Sequence, residues 1–305
     1  MQASLVTVES SDHLALPALW FSPAKPPQSA AIWLHGNGGA SSFYSVTRTN
    51  ALAEALTSQG IGFLALNNRG AETIKQLKQT RGSKTRRVLA GFAHERIRDC
   101  THDIDGAVRF LWQQGCRRIA LVGHSTGANK ICVYDHRTKH NRVAAYVLVG
   151  PGDDVGIYYQ TLGARRFARA LTHARTQITK GHGQQQVPVA ISPTPISWAA
   201  LYDTLDPRGD YNVFPFLEHL QGFSLTPKAR RFREVKQLRR PTLTLFGEHD
   251  EYCFGDVPGC AQVLCAHAPA HVPFEVEILT DTDHGFAGAE LELGQRIATW
   301  LKAIL

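Results

Sequence analysis

The chain consists of short apolar runs separated by longer amphipathic or polar stretches. Each run stops at glycine or at polar residues, which is typical of a buried β-strand. Apolar residues also recur at helical spacing in residues 50–56, 97–114 and 291–305. The strand-like runs are 30–34, 61–67, 118–123, 144–150, 241–246 and 274–279. Because strands that alternate with helices form mostly parallel sheets, we predict an α/β fold with helices on both faces of a central sheet.

Two regions near the start depart from this pattern. Residues 4–8 and 14–21 alternate apolar and polar positions around a break at Ser10-Ser11-Asp12, which predicts an antiparallel hairpin at a sheet edge. Residues 72–90 are polar and basic, and we predict an excursion loop there.

The longest interruption of the pattern spans residues 151–239. It contains a helical stretch at 158–178 and a proline- and aromatic-rich segment at 187–216. We therefore predict a core made of residues 1–150 and 240–305, with residues 151–239 inserted as a lid or cap.

The composition, with 43% hydrophobic and 19% charged residues, is typical of a soluble globular protein. No apolar run approaches the roughly 20 residues that cross a bilayer, so we expect no membrane span. Residues 1–9 lack the basic and apolar regions of a signal peptide, and we expect a cytoplasmic protein. The sequence gives no indication of the oligomeric state.

Two basic stretches, residues 78–87 and 228–240, stand out in a chain whose formal charge is +7. Apart from Phe232 they carry no interleaved aromatic residues for base stacking, so we predict solvated surface and no nucleic-acid partner. The alternative that this charge attracts an anionic substrate to the site stays open.

No metal site or cofactor site is predicted. The six cysteines lack the paired short spacings of zinc sites, although one local disulfide among Cys253, Cys260 and Cys265 stays open. His249 beside Asp250 suggests a metal ligand, but no His-x-x-x-His pair or matching carboxylate cluster supports it.

The apolar run at 118–123 continues into Gly-His-Ser-Thr-Gly at residues 123–127 and then into helix-compatible sequence. In a nucleophile elbow, a serine at such a strand-to-helix turn has a strained backbone and an exposed hydroxyl. Gly123 and Gly127 fit positions where a Cβ would collide with the strand or with the helix packed beside it. The alternative is that Ser125 only caps the following helix, and the surrounding sequence favours a nucleophile.

A serine nucleophile needs a base, and the base needs an orienting acid. Asp250 follows the run at 241–246, and His284 follows the last run. We predict that His284 takes the Ser125 proton through Nε2 and that Asp250 accepts a hydrogen bond from Nδ1. Neighbouring carboxylates are the alternatives for the acid: Glu248, Glu251, Asp281 and Asp283.

Ser125, Asp250 and His284 occur in the chain order of α/β-hydrolases. The chain resembles that superfamily over nearly its whole length apart from the 151–239 insertion, and the resemblance implies an α/β-hydrolase fold. Residues 95–111, the elbow and the closing Asp-His-Gly-Phe also resemble a branch that includes fungal siderophore-ester hydrolases.

The His-Gly-Asn-Gly-Gly loop at residues 35–39 is similar to the oxyanion loop of this superfamily. The resemblance implies backbone N–H donors at Asn37 and Thr126, with Gly38 as the alternate for Asn37. His35 is expected to order this loop by hydrogen bonding. His124, inside the elbow, is interpreted as a packing residue.

The 151–239 insertion supplies aromatic residues that suit the wall of a site for an apolar or aromatic substrate. The alternative is that they only pack the insertion onto the core. They are Tyr158, Tyr159, Phe167, Trp198, Tyr202, Tyr211, Phe214 and Phe216.

These features together predict a serine hydrolase that cleaves a small-molecule carboxylic ester through an acyl-enzyme intermediate, without a cofactor. Acyl transfer and hydrolysis of an amide or thioester use the same triad and stay open. A non-catalytic ligand receptor on the same fold is the alternative from a different class, and an intact triad argues against it. Lid geometry sets the acyl and alcohol preferences, so the sequence does not indicate them.

Overall fold

A computed structural model describes residues 1–37 and 40–305 and places an eight-stranded sheet at the centre of the molecule. The strands are β1 (Gln2–Glu9), β2 (Ala15–Ser22), β3 (Ser29–Leu34), β4 (Ile61–Leu66), β5 (Lys75–Arg81), β6 (Lys84–Ala90), β7 (Arg118–His124), β8 (Val143–Val149), β9 (Thr242–Gly247) and β10 (Phe274–Leu279). The central sheet has the order β1-β2-β4-β3-β7-β8-β9-β10. β2 pairs antiparallel with β1 and β4, and the remaining pairs of this sheet are parallel. The mostly parallel sheet and the hairpin at its edge are thus confirmed.

Helices cover both faces of this sheet, as predicted. They are α1 (Val46–Ser58), α2 (Cys100–Gln113), α3 (Thr126–Arg137), α4 (Asp154–Thr179), α5 (Trp198–Leu205), α6 (Phe216–Gln221), α7 (Arg233–Lys236), α8 (Val257–His267) and α9 (Glu290–Ile304). One apolar cluster joins α1 and α9 to the sheet through Leu52 and Leu293, and another joins α2, α3 and α8 through Ile104, Ile131 and Leu264. Among the helices described, none has the length and apolar character needed to span a membrane.

Residues 75–90 form a separate two-stranded hairpin of β5 and β6, so the prediction of an excursion loop is wrong. Leu77 and Gln79 are buried on its inner face, and Gln79 bridges to Leu14 at the edge of the central sheet. The neighbouring Lys78 is exposed. Buried and exposed positions do alternate along β5, as expected for a strand. Only a few of the side chains are buried, and the many charged residues around them hide this alternation in the sequence.

The 151–239 segment contains α4 to α7 and packs in two parts. α4 changes direction at Gly163, where φ is 71° and ψ is 155°. Residues from both halves of α4 share a separate apolar cluster with α5, and this cluster includes Phe167 and Trp198. Tyr211, Phe214, Phe216 and Phe232 join the main core instead. The division of the chain into core and lid stays a prediction.

A buried ion pair connects α3, the helix that follows Ser125, to the segment that contains Glu95. Lys130 Nζ on α3 lies 2.7 Å from Glu95 Oε1, and both side chains are at most 2% exposed. Lys130 also donates to Asn68 Oδ1 at 3.3 Å. A Cβ on Gly70 would lie 2.0 Å from Glu95 Oε2, so glycine makes room for the carboxylate. The pair therefore fixes α3 against the chain that carries Phe92 into the site described below.

We expect Lys130→Met to lower the free energy of unfolding by about 3–5 kcal/mol, because it leaves the Glu95 charge buried without a partner. Urea denaturation measures this loss. The double variant Lys130→Met/Glu95→Gln removes both charges and should recover most of it. A single variant as stable as the wild type would contradict a stabilising pair.

Candidate active site

Ser125 lies at the turn between β7 and α3. Its φ of 56° and ψ of −128° fall in a region that residues with a Cβ rarely adopt. Its N–H donates to Val149 O at 2.8 Å, and its carbonyl accepts from Ala128 N at 2.8 Å. The turn is thus held by β8 on one side and by the first turn of α3 on the other.

Three glycines allow close backbone approach around this serine. A Cβ on Gly123 would lie 2.3 Å from Gly127 O, and one on Gly127 would lie 2.2 Å from Leu34 O at the end of β3. A Cβ on Gly36 would lie 2.9 Å from the Ser125 Cβ. Real Cβ atoms do not reach such distances, so both flanking glycines of the motif are required by the contact between β3, β7 and α3.

Asp250 and His284 lie side by side, because they follow the adjacent parallel strands β9 and β10. His284 Nδ1 is 3.0 Å from Asp250 Oδ1 and 2.9 Å from Oδ2. Both side chains are buried, and Asp250 Oδ1 also accepts from Tyr252 N at 3.0 Å. A carboxylate against Nδ1 places the ring proton there and leaves Nε2 as an acceptor.

The alternative carboxylates contact backbone groups near the histidine. Glu251 Oε2 accepts from His284 N at 3.1 Å, and Glu248 Oε2 accepts from Asp281 N at 3.0 Å. Asp283 Oδ1 accepts a backbone N–H four residues further on. Of the carboxylates weighed from the sequence, Asp250 is the one hydrogen-bonded to the His284 ring in the described part of the chain.

Ser125 and His284 line the same cavity, which has a volume of about 390 Å³. Within residues 1–37 and 40–305, no hydrogen bond of 3.5 Å or less joins Ser125 Oγ to His284 Nε2. Catalytic hydrogen bonds are often long before substrate binds and shorten in the complex. The arrangement can supply a nucleophile, a base and an orienting acid facing one pocket.

The wall of this cavity combines core and insertion residues. Tyr158 lines it, and Tyr211 accepts a hydrogen bond from Asn37 Nδ2 at 3.0 Å. Phe92 and Tyr252, which the sequence did not single out, line it as well. The other aromatic residues proposed for the wall include Phe167 and Trp198 in the insertion's own cluster and Phe214 and Phe216 in the main core.

Comparison with known proteins agrees with this architecture. A family model described as the alpha/beta hydrolase family matches residues 31–292. The chain belongs to the alpha/beta hydrolase family. No curated protein matches it.

Solved structures with the alpha/beta hydrolase fold resemble this chain at low identity. The esterase domain of a Rhodothermus marinus protein is 18% identical with a TM-score of 0.57, covering 99% of each chain. A Butyrivibrio proteoclasticus protein solved with bound ferulic acid is 13% identical with a TM-score of 0.65, covering 98% of this chain and 99% of that one. An alpha/beta hydrolase from Penicillium sp. sh18 is 19% identical with a TM-score of 0.61, covering 100% and 99%. At these identities the likeness shows the fold, and the siderophore-ester branch stays a prediction.

The candidate oxyanion donors of this alpha/beta hydrolase lie beside Ser125. Thr126 is the first residue of α3, where a backbone N–H has no partner within the helix. Asn37 lines the cavity, whereas Gly38 lies outside the described residues. His35 Nδ1 bonds Gly36 O at 2.8 Å, and burial, with the charge of Lys130, lowers the pKa of His35 to about 3. A neutral His35 therefore donates to this loop, and the two oxyanion donors stay a prediction.

Asp154 is a cavity residue that the sequence reasoning missed. It is the first residue of α4, and both its carboxylate oxygens lie 3.2 Å from Thr126 Oγ1. Burial raises the pKa of Asp154 to about 6, although the Thr126 hydroxyl and the charges of His284 and Lys130 act against this rise. An acidic residue just past β8, at a helix start, was the available signal.

The ring of His124 packs against its neighbours, as interpreted from the sequence, and its nitrogens also make hydrogen bonds that the sequence did not indicate. Its ring stacks on Trp33 and lines the cavity, while Nε2 lies 2.8 Å from His284 O and Nδ1 lies 3.3 Å from Arg48 Nη1. A guanidinium only donates, so Nδ1 accepts and the proton sits on Nε2, where it is donated to His284 O. Burial and the charge of Arg48 lower the pKa of His124 well below its usual value. His124 thus positions the backbone of the histidine loop.

We expect His124→Phe to keep the stack on Trp33 but to lower kcat about 10- to 100-fold with little change in KM, because the His284 loop loses its fixed position. Steady-state ester hydrolysis checks this. His124→Gln retains a donor near the Nε2 position and should recover part of the loss. Equal kcat for the Phe and wild-type forms would contradict a positioning role.

The strained turn gives a stability expectation. Ser125→Gly should unfold about 2 °C higher than Ser125→Ala, because glycine accepts this φ and releases about 1 kcal/mol of strain after its own entropy cost. Differential scanning calorimetry measures the difference. Identical midpoints would show that the serine backbone stores no strain.

A group of exposed side chains near Asp250 carries metal-type donors. The ligand atoms of Glu248, His249 and Asp281 lie within 4.8 Å of one another, and all three residues are exposed. Nothing else in the described chain supports a metal there. The six cysteines are free thiols, and Cys265 is the exposed one.

Proposed function

We propose that the protein is a serine esterase that hydrolyses a carboxylic ester through an acyl-enzyme intermediate. One observation supports this most strongly. The His284 ring is hydrogen-bonded to the buried Asp250 carboxylate and lines the same cavity as Ser125 at its strained turn. An orienting acid, a base and a nucleophile then face a common space.

The first half of the reaction acylates Ser125. The Oγ forms a bond to the ester carbonyl carbon, and its proton passes to His284 Nε2. The carbonyl oxygen becomes an oxyanion, which the N–H groups of Asn37 and Thr126 would bind, a contribution of about 3–4 kcal/mol for each donor. The C–O bond to the alcohol then breaks, and His284 returns the proton to the leaving oxygen.

The second half releases the acid. Water gives a proton to His284 Nε2 and attacks the acyl carbon, and Ser125 Oγ leaves with that proton. The Asp250 carboxylate holds the ring orientation and stabilises the imidazolium in both halves. These residues supply every proton transfer, so the scheme requires no cofactor or metal ion.

The cavity wall suits a small ester with an apolar or aromatic portion. Phe92, Ile157, Tyr158 and Tyr252 supply apolar surface around the polar groups of the site.

Rapid mixing with excess p-nitrophenyl butyrate tests the proposal. We expect a burst of p-nitrophenol close to one equivalent of protein, followed by steady turnover, because p-nitrophenol is a good leaving group and makes acylation faster than hydrolysis of the acyl-enzyme. A non-catalytic receptor would bind the ester without releasing p-nitrophenol. Absence of any release above the rate in buffer would refute the esterase.

A further inference from the structure

We propose that Asp154 makes the cavity selective for esters that carry an organic ammonium group, an inference that rests on the proposed esterase function.

The contacts of Asp154 leave acceptor capacity unused. A carboxylate has about four lone-pair sites. Thr126 Oγ1 shares one hydroxyl between both oxygens at 3.2 Å, Asn129 Nδ2 lies 3.4 Å from Oδ2, and the Asn37 side chain contributes a further hydrogen bond. All of these donors are neutral, and the 3.2 Å hydroxyl contacts are longer than the roughly 2.5–2.7 Å of a strong hydroxyl–carboxylate bond.

Within the described ranges, no cation forms a direct ion pair with this carboxylate. In the described ranges, no lysine, arginine or histidine nitrogen lies within 4.0 Å of Asp154. Lys130, behind it on α3, pairs with Glu95 at 2.7 Å. The start of α4 contributes only the partial charge of the helix dipole. Asp154 is partly buried, so water screens its charge incompletely, and a cationic ligand in the cavity would form the ion pair that the protein itself does not supply.

The positive groups of the cavity are already engaged elsewhere. Arg48 donates to His124 Nδ1 and to Gly285 O, and the charges of Glu290 and Asp283 act on it. His284 faces Asp250 through Nδ1. The uncompensated charge toward the cavity is therefore the negative charge of Asp154.

Aromatic side chains add to this preference. Phe92, Tyr158 and Tyr252 line the same cavity as Asp154. Aromatic rings attract ammonium groups, and the attraction is stronger where water is excluded. A cavity lined by one carboxylate and three aromatic rings suits an amine or quaternary ammonium and disfavours an anionic group. The site would therefore reject the anionic substrate that the overall charge of the chain suggests.

Matched esters test the inference at about pH 8, where a carboxyl with a pKa of about 6 is ionised. On the acyl side, methyl 6-aminohexanoate, methyl heptanoate and monomethyl pimelate differ in charge at equal length. On the alcohol side, butyrylcholine and 3,3-dimethylbutyl butyrate form a matched pair. We expect the wild type to favour the cationic member of at least one set by about tenfold or more in kcat/KM, with the pimelate ester slowest.

Asp154→Asn should reduce that preference to within about threefold. Thr126→Val keeps the carboxylate and should keep the preference, whatever its effect on the overall rate. Asp256→Asn removes an equal charge at the start of α8, away from the cavity, and should also keep it. Equal losses on all esters in Asp154→Asn, or a wild type that favours neutral or anionic esters, would overturn the inference.

Calorimetric titration with choline and with 3,3-dimethylbutanol repeats the comparison without turnover. Choline binding that is lost in Asp154→Asn, in a protein that cleaves no ester, would support the cation site and refute the esterase. Ester cleavage by the wild type with no charge preference and no choline binding would support the esterase and refute the cation site.

Discussion

Ser125→Ala is expected to lower kcat/KM for p-nitrophenyl butyrate by at least about 10,000-fold. The variant keeps the turn, the cavity and the His284–Asp250 pair but removes the atom that forms the acyl bond. Without Oγ no acyl-enzyme can form, and the remaining rate reflects only water activated by the histidine and the oxyanion donors. Steady-state release of p-nitrophenol measures the effect.

Ser83→Ala is the matched control for this experiment. Ser83 is exposed between β5 and β6, so the same atom is lost where no substrate binds. Its activity should stay within about twofold of the wild type. A Ser125→Ala protein that keeps wild-type kcat/KM would show that another group carries the reaction.

Asp250→Asn is expected to lower kcat by about 1,000- to 10,000-fold near neutral pH. The amide nitrogen can donate to Nδ1 and so favours the tautomer with its proton on Nε2. That tautomer cannot take the Ser125 proton. Because both side chains are buried, no water can replace the carboxylate cheaply. The pH profile of kcat should also shift, because the substitution alters the acid–base pair that sets this profile.

Asp281→Asn serves as the control for the acid. Asp281 is exposed, and its φ of 52° is one that asparagine tolerates. Its kcat should stay within about twofold of the wild type. If Asp281→Asn were the more damaging change, the acid would have to be reassigned to the exposed group of Glu248, His249 and Asp281.

The sequence allowed prediction of the residues that directly follow a strand. The apolar runs place Ser125, Asp250 and His284 directly after β7, β9 and β10, and parallel strands carry such residues to one sheet edge. The flanking glycines could be interpreted in advance because the strand-to-helix turn brings Gly123 against Gly127 and brings Gly127 against the neighbouring strand β3. The mostly parallel sheet followed from the alternation of strands with helices.

The missed features depend on contacts between distant parts of the chain. Arg48, His124 and Gly285 meet only in the folded protein, so the hydrogen bonds of His124 could not be predicted from the elbow motif alone. Asp154 gains its importance from its contact with Thr126 and its place in the cavity wall, which no local sequence pattern indicates. α8 is mostly apolar, with Gln262 and His267 as its polar side chains, so it shows little of the periodicity that predicts a helix.

Labelling with a fluorophosphonate, followed by peptide mass mapping, tests the central claim most directly. We expect one phosphonyl group per chain, bound to the peptide that contains Ser125, with ester hydrolysis lost in proportion to labelling. Labelling at a different residue, or full labelling of Ser125 with hydrolysis intact, would contradict Ser125 as the nucleophile.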